Sequence, residues 1–359
     1  MQIRGCCHVI LAYDVGAAID LERAESTLSE GERRKRFKNR RRAPQEDGLR
    51  PPPLRLQQIG DTVEIAAHIT EPAVEMVLYE FGAICVIYRT SFDCSLETLV
   101  GLSDGLYDNP ALLDNSWRRV KQIMHELREA IHKPDLSVLM EDYSIFNITS
   151  PIDKELLWTT HSNTVSRILR VESDELSEQQ VDDALSRRLS YTPNDVLIVD
   201  WAAAMLIGDD MQDERMVLEL GLVHLLELRI LDAQLDRGVH TAYDLLSSPR
   251  RWIDAFRAET DTIRHVSELQ VDSALFFEGV NNGVKLVGDQ YLARMYRMVA
   301  QRFQLHQWDE AVERKLRTLD GIYDKLASRN TNHRMEILEW VIIVLIALSI
   351  GVYFIPGVG

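Results

Sequence analysis

The chain is poor in the patterns that announce chemistry. Its 359 residues hold four cysteines, Cys6, Cys7, Cys85 and Cys94, with neither CxxC spacing nor a histidine pair nearby. That excludes a zinc ribbon and a disulfide framework as sequence readings and points to a reducing compartment. No GxxxxGK[ST], GxGxxG or HExxH occurs, so nucleotide binding and zinc proteolysis lack their usual signatures. A signal peptide is also missing, because the apolar run from Val9 to Tyr13 is short and Asp14 ends it. Positive charge is in deficit: the formal net charge is −16, which disfavours contact with nucleic acid or acidic lipid over the surface as a whole.

One segment reverses that sign. Between Arg33 and Arg42 eight of ten residues are basic, namely Arg33, Arg34, Lys35, Arg36, Lys38, Arg40, Arg41 and Arg42. Pro51, Pro52 and Pro53 follow, so residues 30–58 are expected to form an exposed loop. Such a loop can meet the phosphates of RNA or of anionic lipid. Phe37 is the one aromatic residue within the run, which leaves no aromatic series for stacking bases.

The other conspicuous segment is the C-terminus. Trp340 to Ile355 run sixteen positions without a charge, and eleven of these are Val, Ile, Leu or Phe. On the insertion scale that composition favours the bilayer by about 5 kcal/mol, and residues 337–359 are long enough as a helix to span a hydrocarbon layer of roughly 30 Å. The segment is expected to be a membrane anchor through Trp340, Val341, Ile342, Ile343, Leu345 and Ile346, with Tyr353 near its far end. Lys325, Arg329 and Arg334 precede it and no charge follows, which predicts a cytoplasmic body on a single-pass anchor. The arginine excess over lysine, 32 to 8, goes with a GC-rich bacterial genome and hence a bacterial inner membrane.

Between these landmarks the pattern alternates strands and helices, then becomes helical. Cys7 to Val15 read as a buried strand, and Asp20 caps a short helix. Val74–Tyr79 and Ala83–Tyr88 flank a glycine turn and are expected to centre the sheet. Asn109-Pro110 opens a helix to His132, and Ser177-Glu178-Gln179-Gln180 is a capping box. Leu136–Met140 with Tyr143–Ile148, and Asp195–Asp200 with Ala202–Ile207, read as further strand pairs. Val217 to Leu235 is apolar nearly all round and predicts a buried helix. Leu316, Leu319, Tyr323 and Leu326 step by three and four, a coiled-coil seam. The expected fold is α+β: residues 1–208 a mixed body, 209–336 long helices forming an antiparallel helical hairpin, and 337–359 a C-terminal transmembrane helix.

The richest set of functional side chains lies on the apolar helix. His224 and Glu227 are three apart, as are Arg229 and Asp232, so each pair can meet on one helix surface. These four residues are read as a buried polar network, with Glu219 and Asp236 flanking it. The acids Asp195, Asp200, Asp209 and Asp210 border a strand pair, and with Glu227 they supply the alternative of a metal-dependent hydrolase. His125 and His132 are seven apart on one helix and read as surface residues. No catalytic residue, metal or cofactor is assigned.

Taken in order, AYDVGAAIDLERAE, LYEFGAICVIY, LLELRILDAQLD with DLLSSPRRW, and NHRMEILEWVIIVLIAL resemble the family called required for meiotic nuclear division, also catalogued as domain of unknown function 155. The resemblance implies an α+β body closed by a membrane segment and a role in holding translation machinery at a membrane. The functional expectation is a membrane-tethered interaction or scaffold protein, with RNA or ribosome tethering and hydrolysis as alternatives. The expected partners are membrane lipid, an unidentified protein, a second copy through the helical hairpin, and anionic lipid or RNA at the basic loop.

Overall fold

In the computed structural model, the described residues are 1–28, 35–36, 52–247, 290–322, 339, 342, 343 and 345. They divide into two units. The first comprises Met1–Ile230 with Asp272–Asp309, and the second Leu231–Val271 with Glu310–Gly359.

The first unit is built on one large mixed sheet. Numbered along the chain, its strands are β1 (Gln2–Asp14), β3 (Lys35–Arg36), β4 (Leu54–Ile59), β7 (Ala73–Leu78), β8 (Ala83–Ser95), β10 (Met140–Ile148), β11 (Arg188–Leu189), β12 (Val196–Val199) and β13 (Ala203–Ile207). Short pairs, β2 (Gly16–Ile19) with β9 (Ile131–Pro134) and β5 (Glu64–Ile65) with β6 (His68–Ile69), stand apart from it. The spatial order is β11-β12-β13-β10-β1-β8-β7-β4-β3. Only β10 and β13 run parallel; every other neighbouring pair is antiparallel.

The central position belongs to β1, not to the β7–β8 hairpin expected there. β1 is thirteen residues long, pairs along its whole length with β8, and is buried on both faces. Continuous burial erases the alternation that marks a half-exposed strand, which is why the sequence understates it. The hairpin itself forms as expected, with Gly82 at φ +101° in its turn. Strand β4 occupies part of the stretch read as loop, directly after the prolines.

Helices cover both faces of the sheet. On one, Val9, Leu11 and Tyr13 of β1 join a continuous apolar core with α2 (Thr98–Leu106), α3 (Pro110–Glu126) and α5 (Ser162–Arg170). Polar groups there meet through hydrogen bonds: Tyr13 Oη and Ser116 Oγ lie 2.6 Å apart, and Asn115 Oδ1 accepts from Tyr88 Oη at 2.7 Å and from Arg119 Nε at 2.8 Å. On the other face lie α7 (Gln212–Ser247) and α8 (Gln290–Arg302), with Phe303 edge-on to Tyr143 of β10 at 5.2 Å between ring centres. The remaining short helices are α1 (Leu21–Thr27), α4 (Lys154–Thr159) and α6 (Glu178–Ala184). Asp20, Asn109 and Ser177 each cap a helix through the side chain, as their positions predict. α3 stops at Glu126, because the chain beyond it turns to form β9.

In the second unit, Lys315 on the helix 305–322 binds Asp232 Oδ1 and Asp236 Oδ1 of α7, each at 2.7 Å. Of the coiled-coil seam, Leu316 and Leu319 lie on this helix, whereas Tyr323 and Leu326 fall outside the described residues.

The expected α+β fold ending in a transmembrane helix is corrected to a mixed α/β fold with one large sheet. Among the described residues no helix is long and apolar enough to cross a membrane. The longest, α7, carries charges along its length, from Asp213 and Glu214 in its first turn to Asp244. Of the apolar residues named for the anchor, Ile342, Ile343 and Leu345 are described, each more than half exposed; Trp340, Val341, Ile346 and Tyr353 fall outside the described residues.

Candidate functional site

The chemistry-bearing side chains gather in three places, one at the β12–β13 turn and two along α7. The first surrounds Asp200, at the tight turn between β12 and β13. Its carboxylate is fully buried and accepts from Arg170 Nε at 2.9 Å, from Arg302 Nε at 2.7 Å and from the Trp201 backbone N–H at 2.7 Å. Tyr143 Oη donates to the Asp200 carbonyl at 2.7 Å. Both guanidinium groups reach on to Asp183 of α6, and the Arg302 contact holds that carboxyl below its usual range. Four charges from α5, α6, α8 and the turn thus form a closed set, with every side-chain oxygen of Asp200 taken.

The second set joins β4 and β7 to the start of α7. Arg55 binds Glu75 Oε1 at 2.7 Å and also Glu219; Arg215 binds Glu75 Oε2 at 3.0 Å and Glu219 Oε1 at 3.2 Å. Burial opposes the charge on Arg55, and Glu219 with Glu75 more than restores it. His8 of β1 faces the same set; burial, reinforced by the nearby Arg215 and Arg89 charges, drives its pKa down to about 3. It is therefore neutral.

The third set is the middle of α7, where the network of His224, Glu227, Arg229 and Asp232 is expected. All four are on the helix, yet the pairs expected along it do not form. His224 Nδ1 lies 2.6 Å from Tyr296 Oη of α8, and burial lowers its pKa to about 4. Arg229 pairs with Glu141 of β10, not with Asp232, which binds Lys315 instead. Glu227 is buried, and that burial, with the charge of Asp14 adding to it, pushes its carboxyl well above the usual carboxylate range. The sheet supplies better-placed partners than the helix does, so tertiary contacts override the three-residue spacing.

The acids considered for metal chemistry do not converge. Asp195 accepts from the backbone N–H groups of Tyr191 and Thr192 at 2.7 and 2.9 Å, which makes it a turn cap. Asp209 and Asp210 are exposed, and Asp200 is committed to arginine. Among the described residues no three His, Cys, Asp or Glu side chains are placed to hold a metal ion. His125 and His132 are exposed. A cleft of about 540 Å³ lies where α1 begins, walled by Asp20, Glu22, Glu80, Glu129 and His132, apart from all three sets. Of the basic run, Arg33, Arg34, Lys38, Arg40, Arg41 and Arg42 fall outside the described residues; Lys35 and Arg36 form β3 against β4.

Sequence reasoning missed Arg55, Glu75, Arg170 and Arg302. Their one local signal is a charge set among apolar residues, as in LRL at Arg55 and VEMVL at Glu75.

Residues 4–214, which hold all but the first two residues of the sheet, match the family described as "Uncharacterized protein MJ0711, N-terminal domain". The chain belongs to this family. A relative, Uncharacterized protein MJ0711 of Methanocaldococcus jannaschii, is 22% identical over 294 residues, covering 80% of this chain and 84% of that protein. No solved structure matches. The resemblance to the meiotic nuclear division family is thereby corrected. What carried it, a strand feeding a helix, a glycine hairpin and an apolar helix, are features common to many mixed folds. The bacterial inner-membrane placement is corrected with it: the relative is archaeal, and no described helix is long and apolar enough for a membrane.

Proposed function

We infer that the protein is an interaction or scaffold protein that presents a rigid α/β body to a protein partner. The observation that carries this reading is Trp201. Its side chain is 64% exposed on the turn between β12 and β13, while the backbone beneath it is fixed by the buried Asp200. A large aromatic held on an immobile turn loses little freedom on binding, the property that lets Trp dominate protein interfaces. The dispersal of Asp195, Asp200 and Glu227 over separate places in the fold supports the same reading over hydrolysis.

The test uses the full chain as bait in an extract of its host, followed by cross-linking and mass spectrometry. Trp201→Ala should leave the unfolding midpoint within experimental error and remove a partner that the unaltered protein retains at stoichiometric yield. The inference fails if Trp201→Ala retains every partner. It also fails if the purified protein hydrolyses phosphate or carboxylate esters with an added divalent metal and Glu227→Gln or Asp195→Asn abolishes that activity.

A further inference from the structure

Among the described residues, the buried and half-buried arginines are paired with carboxylates, and Arg119 is the exception. Arg55, Arg167, Arg170, Arg215, Arg229 and Arg302 each bind at least one Asp or Glu side chain. Taking a guanidinium out of water costs free energy that a counter-ion offsets, which accounts for the pattern. Arg119, half-buried on α3, makes no ion pair among the described residues. Neighbouring acids on α3 are engaged elsewhere: Asp114 binds Arg118 at 3.3 Å, and Glu126 accepts from Gln122 at 3.0 Å. Asp61, close in the chain to Gln58, is exposed and forms no ion pair with Arg119.

The unpaired guanidinium is nevertheless held in one orientation. Its Nε donates to Asn115 Oδ1 at 2.8 Å, one turn back on α3, and that oxygen also accepts from Tyr88 Oη of β8 at 2.7 Å. Asn115 is 8% exposed, so the support is a buried one. Nη1 makes only a long contact, 3.5 Å, with Gln58 Oε1 of β4. Nη2 has no hydrogen bond among the described residues and lies over Gly60, just past β4, so closely that a Cβ on Gly60 would stand 2.2 Å from it. Because the residue is half-buried, the outer edge of the fork reaches solvent.

We propose that Arg119 anchors a binding site for a carboxylate group, received on the Nη1 and Nη2 edge of its guanidinium between α3 and the end of β4. A guanidinium presents a planar fork that matches the two oxygens of a carboxylate, and Asn115 sets its orientation in advance, so little freedom is lost on binding. One cation among neutral groups suits a monoanion, whereas a phosphate dianion calls for a second cation, and Arg118 is turned to Asp114. Gly60, lacking a side chain, leaves the room in which the guanidinium lies. The site is on the far side of the sheet order from the β12–β13 turn, and so is separate from Trp201. A small organic acid and a peptide C-terminus present the same two oxygens, and either can fill it.

Titration of the full chain with acetate, at an ionic strength held constant with chloride, tests the site. The Arg119 Nε–H resonance in protein labelled with nitrogen-15 arginine, assigned by its loss in Arg119→Lys, should shift saturably with acetate and not with chloride. Acetate at about nine times its dissociation constant should lower the urea unfolding constant about tenfold. Arg119→Lys keeps the charge but loses the fork, and should lose most of that effect. Gly60→Ala should weaken acetate binding several-fold, because the backbone there lies outside the left-handed region and the new Cβ acts by displacing the far end of Arg119. A tripeptide with a free C-terminus, set beside its C-terminal amide, separates the two sources. Binding tighter than acetate and lost on amidation assigns a peptide terminus, binding no tighter than acetate assigns a small acid, and both support the site. No response of the Arg119 resonance to acetate overturns the proposal, since water alone then satisfies the guanidinium. A response to inorganic phosphate but not to acetate overturns it too, as does unchanged acetate binding in both Arg119→Lys and Gly60→Ala.

Discussion

Replacing Asp200 with alanine tests whether the charge cluster at the β12–β13 turn holds the first unit together. The substitution removes the acceptor of Arg170 Nε, of Arg302 Nε and of the Trp201 N–H in one step. Hydrogen bonds to a charged group contribute about 1.5–3 kcal/mol each, but ionised Asp200 also costs desolvation, which the substitution relieves. What remains is two guanidinium groups, Arg170 at 7% and Arg302 at 15% side-chain exposure, sharing only Asp183, which is 56% exposed. Removing one partner from a buried ion set costs about 3–5 kcal/mol, against a total stability of about 5–15 kcal/mol for a domain. Urea unfolding followed by tryptophan fluorescence should therefore show the midpoint falling by about a fifth or more with the slope unchanged. Asp183→Ala, a change at a solvated carboxylate, should cost no more than about 1 kcal/mol. If Asp200→Ala costs as little as Asp183→Ala, water already screens the cluster and the turn is held by its backbone alone.

Other perturbations have equally definite outcomes. His224 is neutral in the fold and its pKa is lowered to about 4, so the unfolded chain gains a proton below about pH 6.5 that the folded chain refuses. The stability difference between the unaltered protein and His224→Gln should shrink by up to about 3 kcal/mol between pH 6.5 and 4, measured by urea unfolding at each pH. Gly82→Ala should lower the thermal midpoint sharply: the residue sits at φ +101°, and a Cβ there would stand 1.8 Å from the Gly16 carbonyl oxygen. Gly221→Ala should cost about 1–3 kcal/mol in urea unfolding, because its Cβ would meet Val299 Cγ1 of α8 at 2.5 Å, and Val299→Ala in the same chain should recover part of the loss.

How much of this was legible follows the range of the interaction. Asp20, Asn109 and Ser177 were readable as caps because a cap is settled within three residues. The β7–β8 and β12–β13 hairpins were readable because each is settled by a short turn. Strand β1 was half read, since a strand paired on both sides and buried on both faces loses its alternation. β9 was placed too late, at Leu136–Met140, because its pairing with β2 is fixed by a strand more than a hundred residues earlier. The Arg55–Glu219 contact spans 164 positions, beyond any local pattern. What the sequence does show is the anomaly, a charge among apolar neighbours, which says that a partner exists without saying which. Glu227 and Arg229 were flagged in this way, and of the two only Arg229 found a counter-ion.

The two faces of the sheet consequently do different work. The face under α2, α3 and α5 is largely apolar, its buried ion pair being that of Arg170 at the end of α5, and area burial alone does not fix the position of a helix along it closely. On the other face α7 meets the sheet through charges: Arg215 and Glu219 near its start, and Glu227 and Arg229 further along. From Arg215 to Arg229 the helix rises about 21 Å, so these contacts fix it at two separated points. A slip of one turn, about 5.4 Å, would break the ion pairs at both points at once and leave buried charges unpaired, at several kcal/mol each. The register of α7 is therefore set by a few charged side chains, although its adhesion comes from the leucines and valines between them.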